Sequence, residues 1–515
     1  MRIATSLRVA LGSALLLGGV KSQNFELDVV GGSVPGTISL NCHPAIVPFE
    51  LAAILPATNP GPTPCWWFDG IDPRSLGVGP ELFMAGNLWA ALMNPDMSVG
   101  FPVPAQPSLQ GQALYFQAVT FLWWQPTLFD RISNANVVWL ANAGTFYDRG
   151  GVNFLYDRAF ATVLPRSDHR WMLVGGGQGA LLAQIARDTT EIYDPLTNSF
   201  SLGPLLTTAR SMHTSTQLPN GTWLLTGGVN VNNDPQSSCE IYDSALDVFT
   251  PVASMATPRM GHTATLLGNG KILVTGGLAA MTTTPTQLSA VHDATNLTEL
   301  YDPATNTWAP GPNLTTPRAG HFAFTRPDGK VVLGGGISWD TVIIIGWLPA
   351  VRRTCDLYDP VLNTMAAAAQ MATQRSLVDA VDLGNNRWLL AGGISSVTLT
   401  SPGTPTAAAE IYDAVANTWT SVGSMATPRG NHKAWALGGN LFLLAGGANG
   451  TILSPVPLSS TEVFSPATNS FTPGPAMNAA RAGAAAWNTP QGQVQLFGGG
   501  TTGGLISRST EWYYF

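Results

Sequence analysis

Seven times along this chain an apolar run ends in a glycine pair, and after a variable loop each pair is followed by an acidic residue and an aromatic. The pairs are Gly176-Gly177, Gly227-Gly228, Gly276-Gly277, Gly335-Gly336, Gly392-Gly393, Gly446-Gly447 and Gly499-Gly500, and successive pairs lie 49 to 59 residues apart. A period of this size specifies a solenoid, a propeller or an array, because one unit cannot bury its apolar face alone.

The third unit is the clearest. Thr263–Leu267 and Ile272–Thr275 flank Asn269-Gly270, and Asn-Gly between apolar runs predicts a hairpin. Equivalent turns stand at Asn220-Gly221 and Asp328-Gly329. Further on, Glu299-Leu300-Tyr301-Asp302 leads through Pro303 and Asn306 to Trp308, a second strand–turn–strand. Each unit is therefore expected to form four antiparallel strands, a to d.

The register is constant. Phe200, Phe249, Trp308, Met365, Trp419 and Phe471 each lie ten residues before Arg210, Arg259, Arg318, Arg375, Arg429 and Arg481. A large side chain at a fixed offset suits packing between units, worth roughly 1.5–3 kcal/mol each when buried.

The diglycine, the downstream Tyr and the spaced Trp resemble kelch repeats, over about residues 144–515. The resemblance implies a β-propeller with one blade per repeat. The last copy ends at Glu511–Phe515 and lacks strand d. Residues 144–152 are expected to supply it, with Tyr147 standing eleven residues before Arg158. The expected fold is all-β: a seven-bladed kelch β-propeller at 144–515, preceded by a small β-sandwich-like domain at 23–143.

Residues 1–22 read as a secretory signal, with Arg2 and Arg8, an apolar stretch from Val9 to Val20, then Ser22. The expected product is exported (extracellular or periplasmic), with no membrane span. Net charge is −7, and beyond the leader the lysines are Lys271, Lys330 and Lys433. Without a basic stripe, nucleic acid is excluded as a partner. Cys42 and Cys65 would close a loop in an oxidising compartment and are expected to form a disulfide worth roughly 3 kcal/mol. Cys239 and Cys355 share a repeat position two blades apart, so they are expected to be buried and free. In the amino-terminal segment, strands are expected at Gly36–Leu40, Ala113–Trp123 and Asn136–Leu140. Trp66-Trp67 and Trp123-Trp124 there read as core or inter-domain contacts rather than a sugar-stacking platform.

Four histidines recur as Arg-x-x-His: His213, His262, His321 and His432. Repeat symmetry spaces them apart, whereas a metal needs ligands about 2.0–2.1 Å from one point. They are expected to bond neighbouring blades. The acids Glu191, Glu240, Glu299, Asp356, Glu410, Glu462 and Glu511 accompany the arginines one for one and are expected to pair with them. The galactose-oxidase family uses a similar scaffold, with a Tyr directly before a copper-binding His. Here Met212, Gly261, Gly320 and Asn431 stand in that place, so the resemblance stops at the scaffold and no cofactor or metal is expected. Asp-box turns, nucleophile elbows, His-Glu-x-x-His helices and phosphate loops do not occur either.

Short a–b and c–d turns should project from one face, and b–c and d–a loops from the other. The b–c loops at 178–190, 229–239, 278–298, 337–355, 394–409, 448–461 and 501–510 differ in every unit, as recognition loops on a rigid scaffold do. Loop 278–298 offers His292 and Asp293. Loop 337–355 offers Trp339, Asp340, the apolar run Val342–Ile345, Trp347, Arg352 and Arg353, a hot-spot composition. That loop would either meet a ligand or fold over a neighbouring blade or the amino-terminal domain. The expected function is binding of a protein or glycan ligand by a monomer, with no catalytic residue assigned. The alternative is an extracellular carbohydrate-active or galactose-oxidase-like oxidoreductase with a site at the channel mouth.

Overall fold

The computed structural model describes residues 26–514, apart from 35, 44–50, 65–74, 79–88, 92–96, 104, 122–131, 150–151, 181–182, 281–292, 343–345, 398–402, 452–453, 490–492 and 503–504. The leader, Cys65, His292 and both tryptophan pairs lie outside the described residues, as does the side chain of Cys42. The expected disulfide therefore falls there too. Among the described residues, no helix is long and apolar enough to cross a membrane.

Each repeat forms one four-stranded antiparallel sheet with strands in the order a-b-c-d. In the third blade these are Thr263–Leu266, Ile272–Thr275, Thr298–Asp302 and Thr307–Pro310. Strand b is buried along its whole length, because it packs on both faces between flanking blades. Blade seven takes strand d from Thr145–Tyr147, which pairs antiparallel with Thr510–Tyr514. Phe146 meets Tyr513 edge-on across this seam, with ring centroids 5.1 Å apart.

The glycine pairs close the ring. In every blade the second glycine donates its N–H to the carbonyl of the next blade's arginine, from Gly176 to Arg210 (2.9 Å) round to Gly499 and Arg158 (3.2 Å). Both glycines have positive φ, and a Cβ on the first would lie 2.3–2.6 Å from that carbonyl. In blades one and seven this places the working pairs at Gly175-Gly176 and Gly498-Gly499. The sequence reading put both one residue later, because each site is a glycine triplet and the third member also ends an apolar run.

All seven arginines pair with the acid of their own blade, at 2.6 to 3.2 Å, with both side chains buried. Nη1 of each arginine also donates to the first glycine's carbonyl, as Arg259 does to Gly276 (2.7 Å). One side chain thus ties the start of strand a, the end of strand b and strand c, and buried charge is acceptable because every partner is present. The ten-residue aromatics pack between blades as expected. Trp308 packs at a tilt against Tyr301 and donates Nε1–H to the Ala253 carbonyl of the preceding blade (2.7 Å), and Trp419 donates likewise to Ala369 (3.0 Å).

The amino-terminal segment forms two sheets face to face. Glu26–Val30, Gly36–His43 and Met97–Val103 make one; Leu51–Ala57, Trp89–Ala91, Ala113–Phe121 and Ile132–Trp139 make the other. Leu27, Ile38 and Leu40 meet Ile54, Phe116 and Val138 in a shared core. This module sits on the turn face of the propeller. Leu196, in the c–d turn of blade one, packs on its second core, and Gln493, in the a–b turn of blade seven, donates to the Gly31 carbonyl (2.9 Å). Arg149 joins the two bodies. Its guanidinium lies 4.5 Å from the Trp512 ring centroid and 5.5 Å from that of Trp139, with bonds to Tyr514 Oη (2.9 Å) and Gln493 Oε1.

Candidate functional site

The described contacts of the module lie on the turn face, and the b–c loops project from the opposite one. Here four of the seven loops form two-stranded ribbons, in blades one, four, five and six. Gly177–Ala180 pairs with Ala183–Ala186, Ile337–Val342 with Gly346–Val351, Ile394–Ser396 with Thr404–Pro405, and Ala448–Gly450 with Pro455–Pro457. The ribbons of blades four and five lean together through Val351, Ile394 and Val397, with Ile337 and Leu377 against them. The choice left open for 337–355 thus resolves in part: its base packs on the next blade, and the amino-terminal module lies on the other side.

The two singled-out loops converge. Trp339 packs with Met212, Val229, Met260, Leu278, Ala294 and Ala319 in one apolar cluster spanning blades two to four. Asp293, next to Ala294, is half-buried at the same place, and its carbonyl accepts from Ala279 (2.9 Å). Arg352 bridges the ribbon, pairing with Asp340 (2.7 Å) and donating to the Trp339 carbonyl (2.6 Å). The Asp340 side chain is 57% exposed, so it presents charge outward while Arg352 holds it. Arg353, the next residue, is exposed. The side chain of Trp347 and the whole of His292 lie outside the described residues, as do residues 343–345 of the apolar run.

At the centre of this face lies a collar that sequence reasoning missed. The residue two after each arginine has positive φ: Phe160, Met212, Gly261, Gly320, Leu377, Asn431 and Gly483. Six backbone bonds link them around the channel mouth, including Phe160 to Gly483 (3.1 Å), Leu377 to Gly320 (2.9 Å) and Asn431 to Leu377 (2.9 Å). A left-handed backbone is strained for large side chains. Yet Phe160, Met212 and Leu377 hold it, φ 55, 56 and 53. The glycines have a reason as well. A Cβ at Gly320 would meet Leu377 at 2.9 Å, and one at Gly483 would meet Phe160 at 2.6 Å, so the next blade's side chain covers each. The signal in the sequence is the residue two after each repeat arginine, where glycine recurs in blades three, four and seven.

The histidines clasp neighbouring blades. His213 Nε2 lies 2.9 Å from Thr162 Oγ1; His262 Nε2 lies 3.1 and 3.0 Å from Thr214 and Thr226; His321 Nε2 lies 3.1 and 2.9 Å from Thr263 and Thr275. Burial, reinforced by the adjacent arginines, drives all four imidazoles far below their ordinary pKa, His262 and His432 to about 3. They stand neutral, and His213, His262 and His321 are engaged with threonines of the preceding blade. Among the described residues, no three His, Cys, Asp or Glu side chains gather where an ion could be held. Cys239 and Cys355 are buried and free, with thiols pushed up to about 12 by burial.

Inside the channel the threonine position of blades one to three becomes Phe322, Asp379, Lys433 and Ala485 in blades four to seven. The side chains of Lys433 and Asp379 pair at 2.9 Å between blades six and five. Both are walled in by the ring, yet 35% and 53% of their side-chain surfaces touch channel solvent. The carboxylate beside it raises the Lys433 pKa above its ordinary value. Enclosure works against the Asp379 carboxylate, but the Lys433 ammonium overrides it and holds that pKa below the usual range.

No protein-family model matches this sequence. The chain is 28% identical over 155 residues to the F-box/kelch-repeat protein SKIP4 of Arabidopsis thaliana, a match spanning 30% of this chain and 38% of that protein. A fungal alcohol oxidase of the AA5 family, solved in complex with copper, superposes with a TM-score of 0.56 at 17% identity, covering 72% of this chain and 76% of that one. The structure of YjhT superposes with a TM-score of 0.43 at 16% identity over 58% of this chain and 93% of its own. Repeat, blade topology, the kelch-repeat match and the alcohol-oxidase superposition agree: the chain is built on a kelch-type β-propeller scaffold.

Proposed function

We propose that this is an exported binding propeller that engages a protein ligand on its b–c face. The observation carrying this reading is the position of the Trp339–Val351 ribbon beside the collar. Trp339 anchors on the apolar cluster of blades two to four, and Asp340 projects beside it while held by Arg352. An aromatic anchor next to an oriented charge on a preformed ribbon is the makeup of an interface hot spot, because little entropy remains to be lost on binding. The described contacts of the amino-terminal module are on the other face. The kelch-repeat relative supports an interaction role, and the leader-like segment at 1–22 supports export.

The test is affinity capture from the extracellular fraction of the source cells with wild-type protein and with Trp339→Ala/Asp340→Ala. Proteins captured by the wild type and lost with the double variant support the reading. Equal capture by both overturns it, and selective loss of a glycan from an array assigns the same face to carbohydrate.

A further inference from the structure

Three Asn-Gly pairs occur in the chain, Asn220-Gly221, Asn269-Gly270 and Asn449-Gly450, and the first and last run on alike into Thr222 and Thr451. An asparagine before glycine is open to attack by the next main-chain nitrogen, because glycine has no Cβ to obstruct the approach. Sequence makes the three sites alike. Exposure favours the first two, since Asn220 and Asn269 are exposed and Asn449 is half-buried.

The fold separates them by where each glycine N–H goes. Gly221 N–H donates to the Leu218 carbonyl and Gly270 N–H to the Leu267 carbonyl, both at 2.9 Å, which closes the two a–b turns. Their carboxamides face the residue beyond. Asn220 Oδ1 accepts from Thr222 N–H (3.2 Å) and Oγ1 (2.8 Å), and Asn269 Oδ1 accepts from Lys271 N–H (3.1 Å). In the blade-six ribbon, Gly450 N–H instead donates to Oδ1 of Asn449 itself, at 2.8 Å. The nitrogen that would close a five-membered ring is thus already turned to the carboxamide. The ribbon does little to hold it elsewhere: Ala448 and Gly450 face Pro457 and Pro455, which have no N–H to give.

We infer that Asn449 is a self-modifying site, at which the chain converts asparagine to aspartate and isoaspartate. The Gly450 nitrogen loses its proton to solvent base and forms a bond to Asn449 Cγ. The Cγ–Nδ2 bond breaks, and Nδ2 takes up a proton and leaves as ammonia. Water then opens the cyclic imide, at Cγ to give aspartate or at the main-chain carbonyl to give isoaspartate. Asparagine and water become the acid and ammonia, with nothing oxidised or reduced. The product places a carboxylate, and in isoaspartate one further main-chain methylene, in a ribbon that lies against Thr404–Pro405 of blade five. The b–c face therefore gains negative charge with age.

The test incubates the whole native protein at mildly alkaline pH beside a sample held in denaturant. Peptide mass spectrometry follows conversion at each asparagine, and enzymatic methylation measures isoaspartate. In the native protein Asn449 is expected at least about tenfold ahead of Asn220 and Asn269, the ratio that about 1.4 kcal/mol of barrier gives. In denaturant the three should converge, because only the fold distinguishes them. Asn449→Gln should remove most of the isoaspartate formed by the native protein. No conversion at Asn449, Asn220 or Asn269 level with it or ahead, or the same lead persisting in denaturant overturns the inference.

Discussion

Arg318 Nη2 lies 2.9 Å from Asp356 Oδ2, and both side chains are fully removed from solvent. Nη1 of the same arginine reaches the carbonyls of Gly335 (2.8 Å) and Thr354 (2.9 Å). The guanidinium therefore holds three strands of blade four at one point. The Arg318→Met variant leaves Asp356 buried without its partner. A loss of about 3–5 kcal/mol is expected, read as a lower denaturant midpoint. Adding Asp356→Leu should recover much of that loss, because the uncompensated charge goes with it. An unchanged midpoint in the single variant would show that the pair does not hold the blade.

Stability should fall with acid because of the four buried repeat histidines. Their folded pKa values are depressed, to about 3 for His262 and His432, against about 6.5 unfolded. Their contribution is complete above the unfolded value and is lost as pH falls from about 6.5 toward 3, where only the unfolded chain takes up protons. Each contributes a slope of about 1.4 kcal/mol per pH unit in that window. Melting temperatures at pH 7 and pH 5 should diverge sharply, and His262→Asn should flatten the difference.

The glycine register makes a paired prediction. A Cβ on Gly498 would lie 2.3 Å from the Arg158 carbonyl, and φ there is +58. Gly500 has no positive φ, and its nearest such contact is Ala482 O at 3.8 Å. Gly498→Ala should cost roughly 3 kcal/mol or more, combining strain and the displaced neighbour. Gly500→Ala should stay within about 0.5 kcal/mol of wild type. The reverse order in thermal melts would restore the later pair.

The seam is the fourth test. Phe146 packs with Trp435, Leu443, Leu496 and Tyr513, all from the last two blades. Phe146→Ala should destabilise by about 3–5 kcal/mol. Hydrogen exchange should then speed first along Thr510–Tyr514, whose outer edge the substitution loosens.

Much of the fold was legible because its determinants recur. Arg259 and Glu299 belong to one unit, and their counterparts recur in six others, so the pairing could be read from spacing. The convergence of Trp339 with Ala294 was only half legible. Both loops were marked by composition, but nothing in one repeat states which side its ribbon leans to. The collar was missed because positive φ at Phe160, Met212 and Leu377 contradicts their local preference, and only contact with the flanking blades holds them there.

The chain alone determined the number of units, the four strands in each, the arginine–carboxylate clamps and the strand that closes the last blade. All of these rest on hydrogen bonds and side chains within a unit or at a constant offset, so period reveals them. Tertiary structure decided the glycine register, the collar, the meeting of Trp339 with blades two to four, and the Lys433–Asp379 pair inside the channel. Those depend on one blade's surface meeting the next, and on where ring closure leaves space, which no single repeat encodes.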